Sequence, residues 1–349
     1  MTVLDQLEKT SGTVLVLSGG ATKAFYFHVG VLKALQEENI TAIVGSSAGA
    51  VVGALIASGA TVDNIIGALY QKRIYLPRFN AWVKTLTSTT LFKPRYLSLG
   101  MQGAHTGVAG LRFLASLPWL YNKDPLAEAL DMLISSQSQS NGFFDSVALE
   151  KLFRNLLPTV DFRDTDVDLY VTGTCLDCRL RAIFNSRYDI IDMQDHFMTD
   201  VPIYRAVRAS AAVPGMFEPV KIKGRYYVDG EVKRTLSADV GVQLGDRVIV
   251  SHTYQPLYLS NGDTVSDMGW LNVLRQSATI VFHERIAVWR EIYEKQNPGK
   301  KIVWIQPDAD DIEFFNAPEF TFREEVQKTL IRIGERAARK ALALDGGQA

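Results

Sequence analysis

Apolar residues along the chain change period in a regular order. The run "TVLVL" at 13–17 is short and β-branched, and it ends in Ser18, Gly19 and Gly20. Phe25, Val29, Leu32 and Leu35 then recur at helical spacing. This predicts a strand, a glycine turn and a helix. A second strand over 40–44 runs into Gly45, Ser46, Ser47, Ala48 and Gly49, and small residues continue as a helix over 48–58 in which Gly49 and Gly53 allow close packing. Two such units in succession imply parallel strands with right-handed crossovers, because a tight hairpin cannot join a parallel pair.

Further strands are predicted at 168–171, 180–184, 225–228, 247–251 and 302–305. A long helix is predicted over 268–293. Another starts at a capping box of Thr321 and Glu324 and continues through Val326, Leu330, Ile333 and Ala337 to a stop at Gly346 and Gly347. The alternation of strands and helices predicts an α/β fold. The stretch 76–140 is richer in aromatic and loop residues and reads as an insertion over one face of the sheet, with a helix starting at Asp124 and Pro125. With no repeat and no Pro/Gly-rich linker, the expectation is one domain over 1–349, carrying this insertion and a helical region at 268–349.

Composition narrows the function. A chain of 349 residues that is 47% hydrophobic can bury a large core, and a net charge of -1 removes the broad basic field that nucleic-acid binding needs. The N-terminus lacks a basic-then-apolar block, and no apolar run reaches the ~18 residues of a membrane span, so the chain is read as cytoplasmic, without signal peptide or transmembrane segment. Cys175 and Cys178 are too few for a structural zinc site and are expected as two half-buried thiols at a strand end. No metal or cofactor is expected.

Gly45, Ser47 and Gly49 spell G-x-S-x-G. The motif alone is weak, but here a strand feeds it and a helix of small residues leaves it, which is the elbow that lifts a serine hydroxyl clear of a sheet. A serine needs a base, since its hydroxyl is scarcely ionised at neutral pH. Among the histidines only His252, just after "RVIVS", hangs where a triad histidine would; His28 and His283 fall inside predicted helices as packed residues. Asp229 in "KGRYYVDGEV" follows a strand and precedes Gly230, which fits either a presented carboxylate or an Asx turn.

Three segments taken together point further. "VLVLSGGATKAFYFHVGVLKAL", "IVGSSAGAVVGAL" and "YRAVRASAAVPGMFEPVKIKGRYYVDGEV" resemble, in this order, the glycine loop, the serine elbow and the Asp-Gly segment of patatin-like phospholipases. The resemblance spans residues 12–255 and is thinnest in the insertion. It implies a three-layer fold with a central, mostly parallel sheet flanked by helices, and a serine lipid acyl hydrolase with a Ser-Asp dyad. Ser47 would attack the ester carbonyl and Asp229 would take its proton, with the N–H groups of Gly19, Gly20 and Ala21 as the oxyanion hole. Gly45, Gly49 and Gly230 are the motif glycines.

Lys23 matches the family's basic position and either steadies an anionic head group or pairs with a carboxylate. The chain departs from the pattern at Ala21 and Ala24, where the family has glycine, and at Glu231, where it has glycine or alanine. Glu231 is expected to face solvent.

The implied partners are a lipid or acyl-ester substrate and a peripheral membrane surface, and the oligomeric state is left open. Trp82, Phe92, Phe113, Trp119 and Tyr121, with Lys84, Lys93, Arg95, Arg112 and Lys123 among them, form either a lid or docking patch or the insertion's own small core. Two other readings stay open. One is a Ser-His-Asp hydrolase using His252, and the other is a lipid-binding or scaffold protein of the same fold with weak or no catalysis.

Overall fold

Alternating side chains on buried strands must find apolar partners on both faces of a sheet, and this chain supplies helices for each. The computed structural model describes residues 2–71, 73–76, 81–84, 93–94, 142–145, 147–259 and 264–346. Among the described residues the central sheet has nine strands: β1 (Thr13–Leu17), β2 (Ile40–Ser46), β3 (Asp168–Cys175), β4 (Arg181–Phe184), β5 (Asp195–Met198), β6 (Val220–Ile222), β7 (Arg225–Asp229), β8 (Arg247–Ser251) and β9 (Lys301–Ile305). Parallel pairs run from β3 through β2, β1 and β8 to β9. At the other end, β3 pairs antiparallel with β4 and with β7, and β7 with β6.

Odd and even positions sort cleanly. Leu15, Leu17, Ile43, Leu169 and Val171 pack against α1 (Ala21–Ala34), α2 (Ala48–Ala57), α3 (Ile203–Ser210) and the α6 helix (Glu324–Gly346). Val14, Val16, Ala42, Val44, Tyr170, Val248 and Val250 meet α4 (Ala238–Leu244) and the inner residues Ile286 and Tyr293 of α5 (Trp270–Gln296). The result is the three-layer, mostly parallel arrangement. α6 crosses α1 so closely that a Cβ on Gly30 would lie 2.0 Å from the Ile331 carbonyl oxygen, and one on Gly334 would lie 2.0 Å from that of Phe27.

β5 and β6 are strands that periodicity alone does not reveal. Each is short, and β5 opens with the polar pair Asp195 and His196, leaving only Phe197 and Met198 apolar. Asp195 instead joins Asp239 in holding the fully buried Arg181 guanidinium, with N···O distances of 2.7 Å to each. Cys175 and Cys178, expected as thiols, form a disulfide: the turn after β3 brings their Cα atoms to 5.6 Å, within bridging range. Of the expected insertion, Phe92, Arg95, Phe113, Arg112, Trp119, Tyr121, Lys123 and the helix from Asp124 lie outside the described residues. Trp82, Lys84 and Lys93 fall on two short strand backbones, Ala81–Lys84 and Lys93–Pro94. Among the described residues no single helix is long and apolar enough to cross a membrane.

Candidate active site

β2 and β7 lie on the same edge of β3 and meet there tip to tip. Ser46, the last residue of β2, is in register with Thr172, while Asp229, the last residue of β7, is in register with the next residue, Gly173. Both tips are carboxyl ends of strands, where open α/β sheets present their crevice. The junction demands glycine at 230, since a Cβ there would fall 2.5 Å from Thr172 Oγ1 and 2.6 Å from Ser46 Oγ.

Ser47 turns the chain from β2 into α2 with φ 51° and ψ -117°, a left-handed conformation that a non-glycine residue holds only under constraint, at a cost of about 1–3 kcal/mol. The constraint is visible in three contacts. Ser47 N–H donates to Ser210 Oγ (2.8 Å), Gly49 N–H donates to the Ser18 carbonyl (3.0 Å), and a Cβ on Gly49 would sit 2.2 Å from the Leu17 carbonyl oxygen. Gly45 is equally confined, its missing Cβ being 2.6 Å from the Gly49 carbonyl oxygen.

The Ser47 side chain adjoins the Asp229 carboxylate and favours its charged form. Both residues are buried, Ser47 to 4% and Asp229 to 5% exposure. Asp229 is held by its own neighbours: its N–H donates to the Ala212 carbonyl (3.0 Å), its carbonyl accepts from Thr174 Oγ1 (2.9 Å), and its Oδ1 accepts from the Glu231 N–H (3.0 Å). Burial pushes its pKa up to about 6, against the opposing influence of the Ser47 side chain and the Glu231 N–H. Ser210 and Ala212, from the "ASAAVPG" stretch, thus secure the hydroxyl's backbone and the carboxylate's backbone in turn. Sequence reading had quoted that stretch without giving either residue a task.

The glycine loop passes directly over the serine. A Cβ on Gly19 would lie 3.0 Å from Ser47 Cβ, 2.9 Å from Glu231 Cγ and 3.2 Å from Tyr254 Oη. Gly20 has φ 126° and Ala21 φ 55°, so the alanine occupies a left-handed position where glycine would be free. The N–H groups of Gly20 and Ala21, at the start of α1, meet no acceptor among the described residues, and neither does that of Ala48 at the start of α2. Unpaired N–H groups at helix N-termini suit a developing negative charge. The Gly19 N–H is different from the expectation, because it donates to Glu231 Oε1 at 2.8 Å.

Glu231 does not face solvent. It is 6% exposed, and its other oxygen accepts from the Leu236 N–H at 3.0 Å. The reason is that the strand ends at Asp229 and the chain continues as a 3-10 turn over Gly230–Val232, so the side-to-side alternation of a strand no longer governs residue 231. Burial and the adjacent Asp229 charge push its pKa up to about 7.

Lys23 turns away from the serine. Its Nζ pairs with Glu319 Oε1 (3.5 Å), donates to the Phe315 carbonyl (3.3 Å) and lies 4.3 Å from the Phe314 ring centre; burial lowers its pKa. The carboxylate-pairing alternative is the one realised. Ala24 is packed under the loop, 2.9 Å from where a Gly20 Cβ would be. His252 is buried, packs edge to face on Trp304, and is joined by no hydrogen bond to Ser47 or Asp229. His28 bridges Ser251 Oγ (2.9 Å) and the Ser18 carbonyl (3.0 Å), bracing the strand ends below the loop.

Tyr254 is a site residue that sequence reading missed. Its ring rests on Phe282 of α5, 4.8 Å between centres, and burial with the charges of Glu231 and Asp229 keeps its hydroxyl protonated. No sequence signal marks it, because only the fold brings the stretch after β8 beside the glycine loop. Among the described residues no group of three or more acidic, histidine or cysteine side chains is placed to hold a metal ion.

Comparison with known proteins places the chain among relatives. The chain is 25% identical, over 220 residues, to "Uncharacterized NTE family protein" sequences of Mycobacterium tuberculosis and Mycobacterium bovis. The match covers 62% of this chain and 42% of the relative, so the chain spans less than half the length of those proteins. Among solved structures, VipD from Legionella pneumophila aligns over 96% of this chain and 67% of its own, at 16% identity and a TM-score of 0.43. The type III effector ExoU aligns over 97% and 54%, at 18% identity and a TM-score of 0.37. The family model described as "Patatin-like phospholipase" matches residues 15–241, which hold the glycine loop, the serine elbow and Asp229, and the chain belongs to that family.

Proposed function

We propose that the protein is a serine lipid acyl hydrolase that cleaves carboxylic esters through a Ser47–Asp229 dyad. Family membership supports lipid acyl hydrolysis in general terms. The observation that supports the dyad is that the ends of β2 and β7 meet at Gly230 and bury Ser47 beside Asp229, a carboxylate whose raised pKa makes it a stronger base while leaving it largely ionised at neutral pH.

In the first half-reaction Asp229 takes the hydroxyl proton as Ser47 Oγ bonds the ester carbonyl carbon. The carbonyl oxygen becomes an oxyanion facing the N–H groups of Gly20, Ala21 and Ala48. Collapse breaks the bond to the alcohol, which leaves with the proton from Asp229, and an acyl-serine remains. In the second half, Asp229 takes a proton from water, the resulting hydroxide attacks the acyl carbon, and the proton returns to Ser47 as the fatty acid departs. His252 takes no part. Phospholipids and lysophospholipids are the proposed substrates, met at a membrane surface from the cytoplasmic side.

A fluorophosphonate serine probe tests the reading. It labels the wild-type protein and leaves Ser47→Ala unlabelled, and the same substitution abolishes acyl-ester turnover. Equal labelling of both proteins contradicts the assignment, and an unlabelled wild type that still binds lipid vesicles supports the scaffold alternative.

A further inference from the structure

Glu231 is the strongest departure from the family pattern, and it is buried at the centre of the site. Its two oxygens accept hydrogen bonds from two backbone amides far apart in sequence, Gly19 N–H on the glycine loop and Leu236 N–H before α4. Its own N–H donates to Asp229 Oδ1. Through its side chain and its N–H, Glu231 therefore ties together three parts that must keep their relative positions: the loop over Ser47, the turn carrying the base, and the segment entering α4. Its Cγ also lies against the empty space at Gly19, 2.9 Å from where a Cβ would be.

No basic side chain pairs with Glu231 among the described residues. Lys23 is turned to Glu319, and Arg234 is turned to Asp239 at 3.0 Å. The charged and titratable groups that face it are Asp229 beside it and the Tyr254 hydroxyl across the Gly19 space. An unpaired buried carboxylate is costly, and the cost is offset here by amide donors alone.

We infer that Glu231 is the positioning residue of this site: its carboxylate clamps the Gly19 amide, fixes the glycine loop over Ser47, and thereby moves the oxyanion donors one residue on, to Gly20 and Ala21. This rests on the Ser47–Asp229 reading above. Burial raises both carboxylates, and the Asp229 charge raises Glu231 further, so the two titrate as a pair. On acidification a proton on Glu231 converts one of its acceptor oxygens into a hydroxyl and releases one of the two amides. A proton on Asp229 removes the base.

The experiment is a set of kcat and KM measurements across pH on a soluble acyl ester, with the full chain and its Glu231→Gln and Glu231→Ala variants. In the wild type, kcat falls on the acid side with a slope approaching two. Glu231→Gln keeps a carbonyl oxygen for the Gly19 N–H, so its kcat above the transition stays within about tenfold of wild type, and its acid limb has a slope of one. Glu231→Ala frees the loop and lowers kcat by about 100-fold with KM little changed.

Wild-type kcat that follows a single proton overturns the inference without any variant. So does a Glu231→Gln profile with the wild-type slope, or a Glu231→Ala protein with wild-type kcat. Ser47→Ala in the same assay separates the two levels: turnover surviving in that variant overturns the underlying dyad, whereas a silent Ser47→Ala with an unaffected Glu231→Ala overturns only the clamp.

Discussion

The position a Gly19 Cβ would take lies 3.0 Å from Ser47 Cβ, so the absence of a side chain at 19 is a condition for the serine to stand under the glycine loop. Glu231 Cγ and Tyr254 Oη close the same space from two other sides, at 2.9 and 3.2 Å. Gly19→Ala must displace the loop or the serine by several tenths of an ångström. A misalignment of about 1 Å costs about 100-fold in rate, so this smaller shift is expected to lower kcat by up to that factor. Steady-state kinetics on an acyl ester checks it, and a variant with wild-type kcat contradicts the geometry.

Ala21 points the other way. It holds φ 55° at the start of α1, a region that costs an L-residue with a Cβ about 1–2 kcal/mol and costs glycine nothing comparable. Part of the gain is lost because glycine is freer in the unfolded chain, by about 0.4–1 kcal/mol. Ala21→Gly is expected to stabilise the protein modestly, read as a higher urea midpoint with an unchanged slope. A lower midpoint would show that the alanine is not strained.

How much of this was legible without coordinates follows from how local each feature is. The first two strand, turn and helix units were readable because period, glycines and small residues agree within a few positions. Asp229 was readable as a strand tip followed by Gly230, and the family segments linked it to Ser47. What failed was non-local or lay just past an element's end. Lys23 could not be assigned because its partners, Glu319, Phe314 and Phe315, come from the segment before α6. Glu231 was misread because the strand rule was extended one turn beyond β7. Tyr254 was silent because nothing nearby in sequence marks its approach to Gly19.

The raised carboxylates also set a pH dependence of stability. Asp229 and Glu231 are pushed from 3.8 and 4.5 up to about 6 and about 7, so between these limits the folded protein binds more protons than the unfolded chain. Their contribution is fully present below the unfolded values and is lost as pH rises through the folded ones. Asp229→Asn removes one of these losses. Its stability relative to wild type should rise from about pH 4 to about pH 6 and then level off, measured by urea unfolding at each pH, and a difference that stays constant contradicts the buried, raised carboxylate.

The most direct test of the account is acyl-ester turnover by Asp229→Asn, with His252→Gln as its companion and circular dichroism confirming that each is folded. Asparagine keeps an oxygen to accept from Ser47 and Glu231 but cannot take a proton, so the account predicts that kcat is lost by about 1,000-fold or more while His252→Gln stays near wild type. Turnover preserved in Asp229→Asn, or abolished in His252→Gln, would contradict a mechanism in which the carboxylate at the tip of β7 is the base for Ser47.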